Sequence, residues 1–321
     1  MTMDLNRYVI SGHGLTATFT DWGASLVDLR LEGHAPPLVL GLEQLEGYAA
    51  GHASYMGAMV GRCANRMAQG RFTLDGQVHQ LDRNFLDKHH LHGGSAGIGK
   101  RVWRVVEQGD DEIAFQIDLA DGEMGYPGAM HLEARFRCGP EATLRIDYHA
   151  RADAATLCNI AHHSYWCLDD SGSVADHILT VAADRYTPVD AELIPVGVAP
   201  VDGTAFDFRG GQALPGDGLL DHNLCLSDGR EALRQVGVLR SRVSGVAMAI
   251  CTTEPGLQVY DGAKLSPPVP GLDGRRYGAH AGVALEPQVW PDAPNHDDFP
   301  EATLRPGETY HQITTFSFSK D

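Results

Sequence analysis

Short alternations of apolar and polar residues recur along the 321-residue chain, and long helical periods do not. Tyr8 to Ile10, Leu15 to Thr20 and Ser25 to Leu31 read as extended segments joined by short turns. The Leu38–Leu40 run follows them, so the first forty residues form a β-meander. Asp75-Gly76, flanked by the alternating Arg71–Leu74 and Gln77–His79, is the preferred two-residue hairpin turn. Val102–Glu107, Ile113–Leu119, Leu132–Cys138 and Leu144–Arg151 are four more extended segments. In the last, Leu144, Ile146 and Tyr148 alternate with charged residues, as a half-solvated antiparallel strand requires. Val246–Thr252, Leu257–Tyr260 and Tyr310–Ser319 complete the set. Glu231–Gln235 is the best short helix candidate. The expectation is a nearly all-β chain, residues 1–321 forming one domain.

One segment places chemistry at the end of such a strand. Val283-Ala284-Leu285 is an apolar run that Glu286 ends, and Pro287 follows. Proline cannot donate to a ladder, so the strand should stop there or lie at an edge. A carboxylate at the tip of a buried strand is costly unless it is paired or functional. Trp290 offers a flat apolar face of the kind on which a sugar ring stacks, and Pro291, Pro294 and Asn295 stiffen the loop. An isolated Glu in this position merely marks a strand end; other segments change its reading.

Arg62 and Arg66 flank Asn65 after the buried-looking Ala58–Val60. They read either as surface ion pairs or as forks of donors for hydroxyl groups. His89, His90 and His92 suggest a metal site, but a site needs further ligands placed by the fold. Gly93-Gly94 points instead to close backbone approach, with His92 a hydrogen-bonding residue; no metal is expected. His162 and His163 pair with two aromatic residues, Tyr165 and Trp166. With Glu286 in view, this His pair becomes a candidate general acid, because imidazole titrates near neutrality. Asp221 reads as a turn cap or an acceptor for sugar hydroxyls.

The formal charge of −17 argues against nucleic acid and anionic membrane surfaces, and disfavours a phosphorylated substrate. Six cysteines without CxxC spacing read as buried thiols in a reducing compartment. The N-terminal residues lack a leader pattern and no apolar run reaches membrane length, so a soluble cytoplasmic protein is expected.

Side by side, these segments resemble the galactose mutarotase (aldose 1-epimerase) family. The shared stretches are Leu40-Gly41 to Tyr48, Gly61-Arg62 to Arg66 with Gly70 and Phe72, Leu91–Gly94, and Lys100–Trp103. They continue with Asn159 to Tyr165, Leu220–Asn223, Val259–Gly262, and Glu286-x-Gln288 with Pro291-Asp292-Ala293 and Asn295. Each is weak alone; the ordered set is specific. The resemblance implies a large antiparallel β-sandwich with an open cleft on one sheet. It also implies interconversion of the anomers of a free aldose without a cofactor. A monomer or homodimer is expected. It places Glu286 on the catalytic base, His163 on the acid, and Arg66, His92 and Asp221 on the sugar-binding residues. Asn65 and His162 beside them join the substrate-binding set. Glu286 is expected ionised and His163 protonated, each charge favouring the other.

Four positions depart from the family pattern: His162 where Asn is usual, Cys167 for a second Asn, Asp261-Gly262-Ala263 for Thr-Gly-Asn, and Pro287 for Thr. His162 is thereby a second candidate for the acid role. Two rival readings use the same residues. A glycoside hydrolase would pair Glu286 with Asp221 or Asp292, and a non-catalytic sugar-binding protein would need no acid-base pair.

Overall fold

The computed structural model describes residues 5–53 and 55–320. Two large antiparallel sheets dominate it. The larger has nine strands, in the order Gln212–Ala213, His177–Val181, Arg234–Ser241, Val246–Thr252, Tyr310–Lys320, Thr143–Ala152, Met130–Gly139, Glu112–Leu119 and Arg104–Gln108. The second has six: Tyr165–Trp166, Val283–Gln288, Gly256–Tyr260, Asp221–Cys225, Arg185–Thr187 and Ala199–Pro200. A three-stranded meander, Arg7–Gly12, Leu15–Thr20 and Ser25–Leu31, lies apart from both in pairing.

Side-chain alternation explains the layering. Leu144, Ile146 and Tyr148 are buried, while the intervening Arg145 and Asp147 form an ion pair on the outer face. The inner face of the nine-stranded sheet packs towards the six-stranded one. Trp166 meets Phe316 with ring centroids 4.5 Å apart, and Gln312 Nε2 donates to the Pro287 carbonyl at 3.1 Å. One continuous apolar cluster joins Phe136, Ile146 and Phe316 to Leu257, Val259 and Leu285. The fold is thus the expected all-β antiparallel sandwich. Among the described residues, no helix is long and apolar enough to cross a membrane.

Two local expectations are corrected, and a third holds in the second of its two forms. Glu231–Gln235 is not helical; Arg234 already begins a strand that pairs with both His177–Val181 and Val246–Thr252. Ladder bonds on two sides outweigh the modest propensity of Glu, Ala and Leu. Leu38–Leu40 is not a strand, although Val39 bridges Trp166. The strand bearing Glu286 does not stop at Pro287 but runs to Gln288. Its inner neighbour pairs from Ala284 to Gln288, whereas Tyr165–Trp166 reaches only Val283 and Ala284. Pro287 therefore lies where the ladder is one-sided, which its missing N–H allows.

Candidate active site

The six-stranded sheet sets the site residues in a row by register. Glu286 stands opposite Gln258, Tyr260 opposite Asp221, and Tyr165 opposite Ala284. Above them is a cavity of about 290 Å³, at the small end of ligand sites and suited to a monosaccharide. Glu286, His163, His92, Arg66, Asn65 and Asp221 all line it. The fold thus brings together six of the seven residues expected at a site.

The seventh, His162, is separated from them. Adjacent residues on an extended chain face opposite ways, so His163 enters the cleft and His162 enters the core. There His162 Nε2 bonds Ser164 Oγ at 2.7 Å, and its ring lies among Phe136, Trp166 and Phe316. Neither the sugar-binding role nor a share in the acid role fits that placement.

A chain of polar contacts shapes one wall. Arg66 Nη2 donates to Asp221 Oδ2 at 2.9 Å, and Gln258 Nε2 donates to Asp221 Oδ1 at 2.6 Å. Arg66 Nη1 also reaches Asn65 Oδ1 at 3.3 Å, and its guanidinium lies 5.0 Å from the Phe85 ring centroid. Asn65 adopts φ +62°, a conformation Asn tolerates better than most residues. It exchanges bonds with His92: the Asn65 N–H donates to His92 Nδ1 at 3.2 Å, and the His92 N–H donates to the Asn65 carbonyl at 3.0 Å. Gly93 follows at φ +84°. A Cβ there would lie 1.6 Å from the Gly61 carbonyl oxygen, so the close approach expected of this glycine is to the protein's own backbone.

His163 Nε2 lies 3.6 Å from Glu286 Oε1, with both side chains almost fully buried. Burial pushes the Glu286 carboxyl well above the usual carboxylate range; the Asp221 charge adds to the rise and Arg66 opposes it. Burial also pulls His163 down to about 4. In the protein alone, burial therefore drives both groups towards their uncharged forms and outweighs the attraction expected to keep each charged. The proton inventory is nevertheless the one the chemistry needs. A carboxyl beside a neutral imidazole holds one proton, as does a carboxylate beside an imidazolium.

Donor atoms of His92, His163 and Glu286 lie within 4.8 Å of one another, a spacing that could suit a metal ion. The bond from the Asn65 N–H argues otherwise. It occupies the Nδ1 lone pair of neutral His92 and leaves the proton on Nε2, whereas a metal-ligating His donates from its second nitrogen. His89 and His90 do not converge with His92 either. His89 Nδ1 accepts from the Gln69 N–H, and His90 bridges the Asp82 carbonyl and Tyr126 Oη.

Other candidates take structural roles. Arg62 is buried and donates to the carbonyls of Ala120, Pro127 and Gly128, so it is not a sugar fork. Trp290 is 1% exposed, and its Nε1 donates to the Pro255 carbonyl at 2.8 Å. It packs on Phe299 in the core rather than in the cleft. Asp292 accepts from the Ala68 N–H and from Asn295 Nδ2, closing a loop. Asp261 ties its own loop to the segment before Asp221 by accepting from the N–H groups of Ala263 and Gly218. Tyr55, Phe85 and Gln258 were not legible as site residues. Only Gln258 carried a signal, as a polar residue between Leu257 and Val259 and in phase with Tyr260.

The model of the family described as aldose 1-epimerase matches residues 6–317. Galactose mutarotase from Mus musculus is 40% identical over 98% of this chain and 94% of its own, and that from Homo sapiens is 38% identical over the same shares. Aldose 1-epimerase from Escherichia coli K12 is 33% identical over 95% of this chain and 92% of its own. Among solved structures, the GalM/aldose epimerase homologue from C. elegans superposes with a TM-score of 0.92 at 31% identity, covering 99% of both chains. Galactose 1-epimerase from Lactobacillus acidophilus gives 0.82 at 26% identity, over 99% of this chain and 98% of that one. Matched in sequence over nearly its whole length and in fold over all of it, the chain belongs to the aldose 1-epimerase family of isomerases.

Proposed function

We propose that this protein interconverts the α and β anomers of a free aldose, with Glu286 as base and His163 as acid. The observation that carries the reading is the 3.6 Å approach of His163 Nε2 to Glu286 Oε1 on one small cavity. The anomeric hydroxyl and the ring oxygen share one carbon, so the groups that serve them must be close neighbours. Once the pair's single proton has passed from Glu286 to His163 as the sugar binds, Glu286 takes the proton from the anomeric hydroxyl as the C1–ring oxygen bond breaks, and His163 gives its proton to the ring oxygen. The open-chain aldehyde rotates about C1–C2. The ring then closes on the other face, and each proton returns to the group it left or came from. The pair begins and ends with one proton, so no cofactor is called for.

Asp221 and Asn65 offer oxygens to sugar hydroxyls, and Arg66 and the His92 Nε2–H offer donors. Asp221 is a poor second acid for a hydrolase, because both its oxygens already accept hydrogen bonds. A sugar-binding protein would have no use for a buried acid-base pair. Galactose is the first substrate to test, given the names of the mammalian relatives. The cysteines are free thiols, five of the six buried, which fits the reducing cytoplasm. Polarimetry of fresh α-D-galactose and α-D-glucose tests the reaction. The wild type should speed the approach to equilibrium rotation, and Glu286→Gln should fall to near the spontaneous rate. A wild type no faster than the spontaneous rate on these sugars and on pentoses would end the proposal.

A further inference from the structure

The ring of Tyr55 stands against both histidines of the cleft. Its centroid lies 4.9 Å from that of His92 and 5.9 Å from that of His163, the latter at an interplanar angle of 28°. The two imidazoles meet edge to face at 5.2 Å. Beyond Tyr55 is a second cavity of about 270 Å³, walled by Trp22, Tyr48 and Lys100. Tyr55 lines both cavities, so its ring is part of the partition between them. Lys100 Nζ lies 5.1 Å over that ring, within the range of a cation–π contact.

The backbone holds this ring in place. The Gly57 N–H donates to the His163 carbonyl at 3.0 Å, and the His163 N–H donates to the Ala58 carbonyl at 2.9 Å. The turn that carries Tyr55 is therefore tied in both directions to the residue its ring faces. Tyr55 sits at φ +64°, where a bulky side chain is rare. Gly57, also at positive φ, passes so close to Leu26 that a Cβ would lie 1.9 Å from its carbonyl oxygen. Such constraint is expected where a side chain must be aimed.

We propose that Tyr55 is a positioning residue for His163: its ring fixes the imidazole plane and closes the acid off from solvent in the second cavity. The inference rests on the acid role given to His163 above. Six titratable or charged groups surround that imidazole: Glu286, His92, Tyr165 and Tyr55 nearby, with Asp221 and Arg66 acting through their charges. His162 adjoins it in sequence and faces the core. Burial holds His163 low, so opening the partition should let its proton affinity rise.

The test follows the His163 imidazole by NMR titration in wild type, Tyr55→Ala, Tyr55→Leu and Tyr55→Phe, alongside polarimetric kcat and KM. Tyr55→Ala and Tyr55→Leu should move the His163 titration up towards 6.5, the ordinary value. They should lower kcat by about tenfold or more with a smaller change in KM, the pattern of a misplaced acid rather than a lost binding contact. Tyr55→Phe keeps the ring and should restore both readouts most of the way. An unmoved titration in both the Ala and Leu variants, or a Phe variant as impaired as Ala, would overturn the inference. If the wild type turned over no aldose while the titration still moved, the reaction would fall and the positioning role would stand.

Discussion

Arg66 Nη2 donates to Asp221 Oδ2 at 2.9 Å, joining segments 155 residues apart on the wall of the cleft. The two charges act on Glu286 with opposite sign: Asp221 raises its proton affinity and Arg66 lowers it. Asp221→Asn removes the first and leaves the second unopposed. The Glu286 titration, and with it the basic limb of kcat/KM, should then move to lower pH. The wild-type profile should be bell-shaped. It falls on the acid side as the pair takes up a second proton, and on the basic side as the pair loses its only one. KM should rise by about tenfold or more, the cost of losing a charged hydrogen-bond partner for a hydroxyl. Limbs that coincide in the two proteins would refute this coupling.

Glu286→Gln should cost about 10²–10⁴ in kcat, the usual worth of a positioned acid or base. It should also stabilise the fold at neutral and higher pH. The folded carboxyl is held well above the unfolded value of 4.5, so its favourable contribution is complete below pH 4.5 and is lost as pH rises through the folded value. Gln never ionises and escapes that loss. Thermal melts of both proteins at several pH values check it. A Tm gap that fails to widen with rising pH would count against the buried, proton-retaining Glu286.

His162 should govern acid stability rather than turnover. Burial pulls it to about 3, against 6.5 in the unfolded chain. Such a depressed group contributes stability that is complete above pH 6.5 and is lost as pH falls towards 3. The loss is about 1.4 kcal/mol per pH unit at most within that window. His162→Asn, which restores the residue usual in the family, should flatten the fall in unfolding free energy between those limits. Denaturant unfolding at neutral and at acid pH measures the difference, and equal slopes in the two proteins would refute it.

Arg62 and Arg66 are four residues apart and should fail differently. Arg62→Ala orphans the carbonyls of Ala120, Pro127 and Gly128 and should cost about 3 kcal/mol or more of stability. Its KM should stay near the wild-type value in protein that remains folded. Arg66→Ala should raise KM severalfold with a smaller loss in Tm. The reverse pattern in a paired set of melts and kinetic assays would exchange the two roles.

Local signals carried well where local physics decides. The strands Leu15–Thr20, Ser25–Leu31 and Val246–Thr252 lie where the alternation puts them. Asp75 and Gly76 take φ +49° and +79°, as a two-residue turn of the preferred hand requires. Glu231–Gln235 misled because its propensity is helical, while the strand that starts at Arg234 is set by partners far away in sequence. Glu286, His163 and Asp221 were legible through an ordered set of motifs, not through any one of them. Trp290 obeyed a plausible rule about aromatic rings and sugars, yet the segment after the strand's end carries it into the core against Phe299. Gln258 and Tyr55 join the site only through strand pairing and a turn, which no single stretch of sequence encodes.

The strand Tyr310–Lys320 lies between Val246–Thr252 and Thr143–Ala152, near the middle of the nine-stranded sheet. On the ribosome it emerges after every other strand of that sheet. Until it does, two inner strands are exposed edges, each open to pairing with another chain. The long-range closure that completes the nine-stranded sheet thus waits for the strand furthest along the sequence. The emerging chain depends on speed, or on a chaperone, to keep that gap from being filled by the wrong partner.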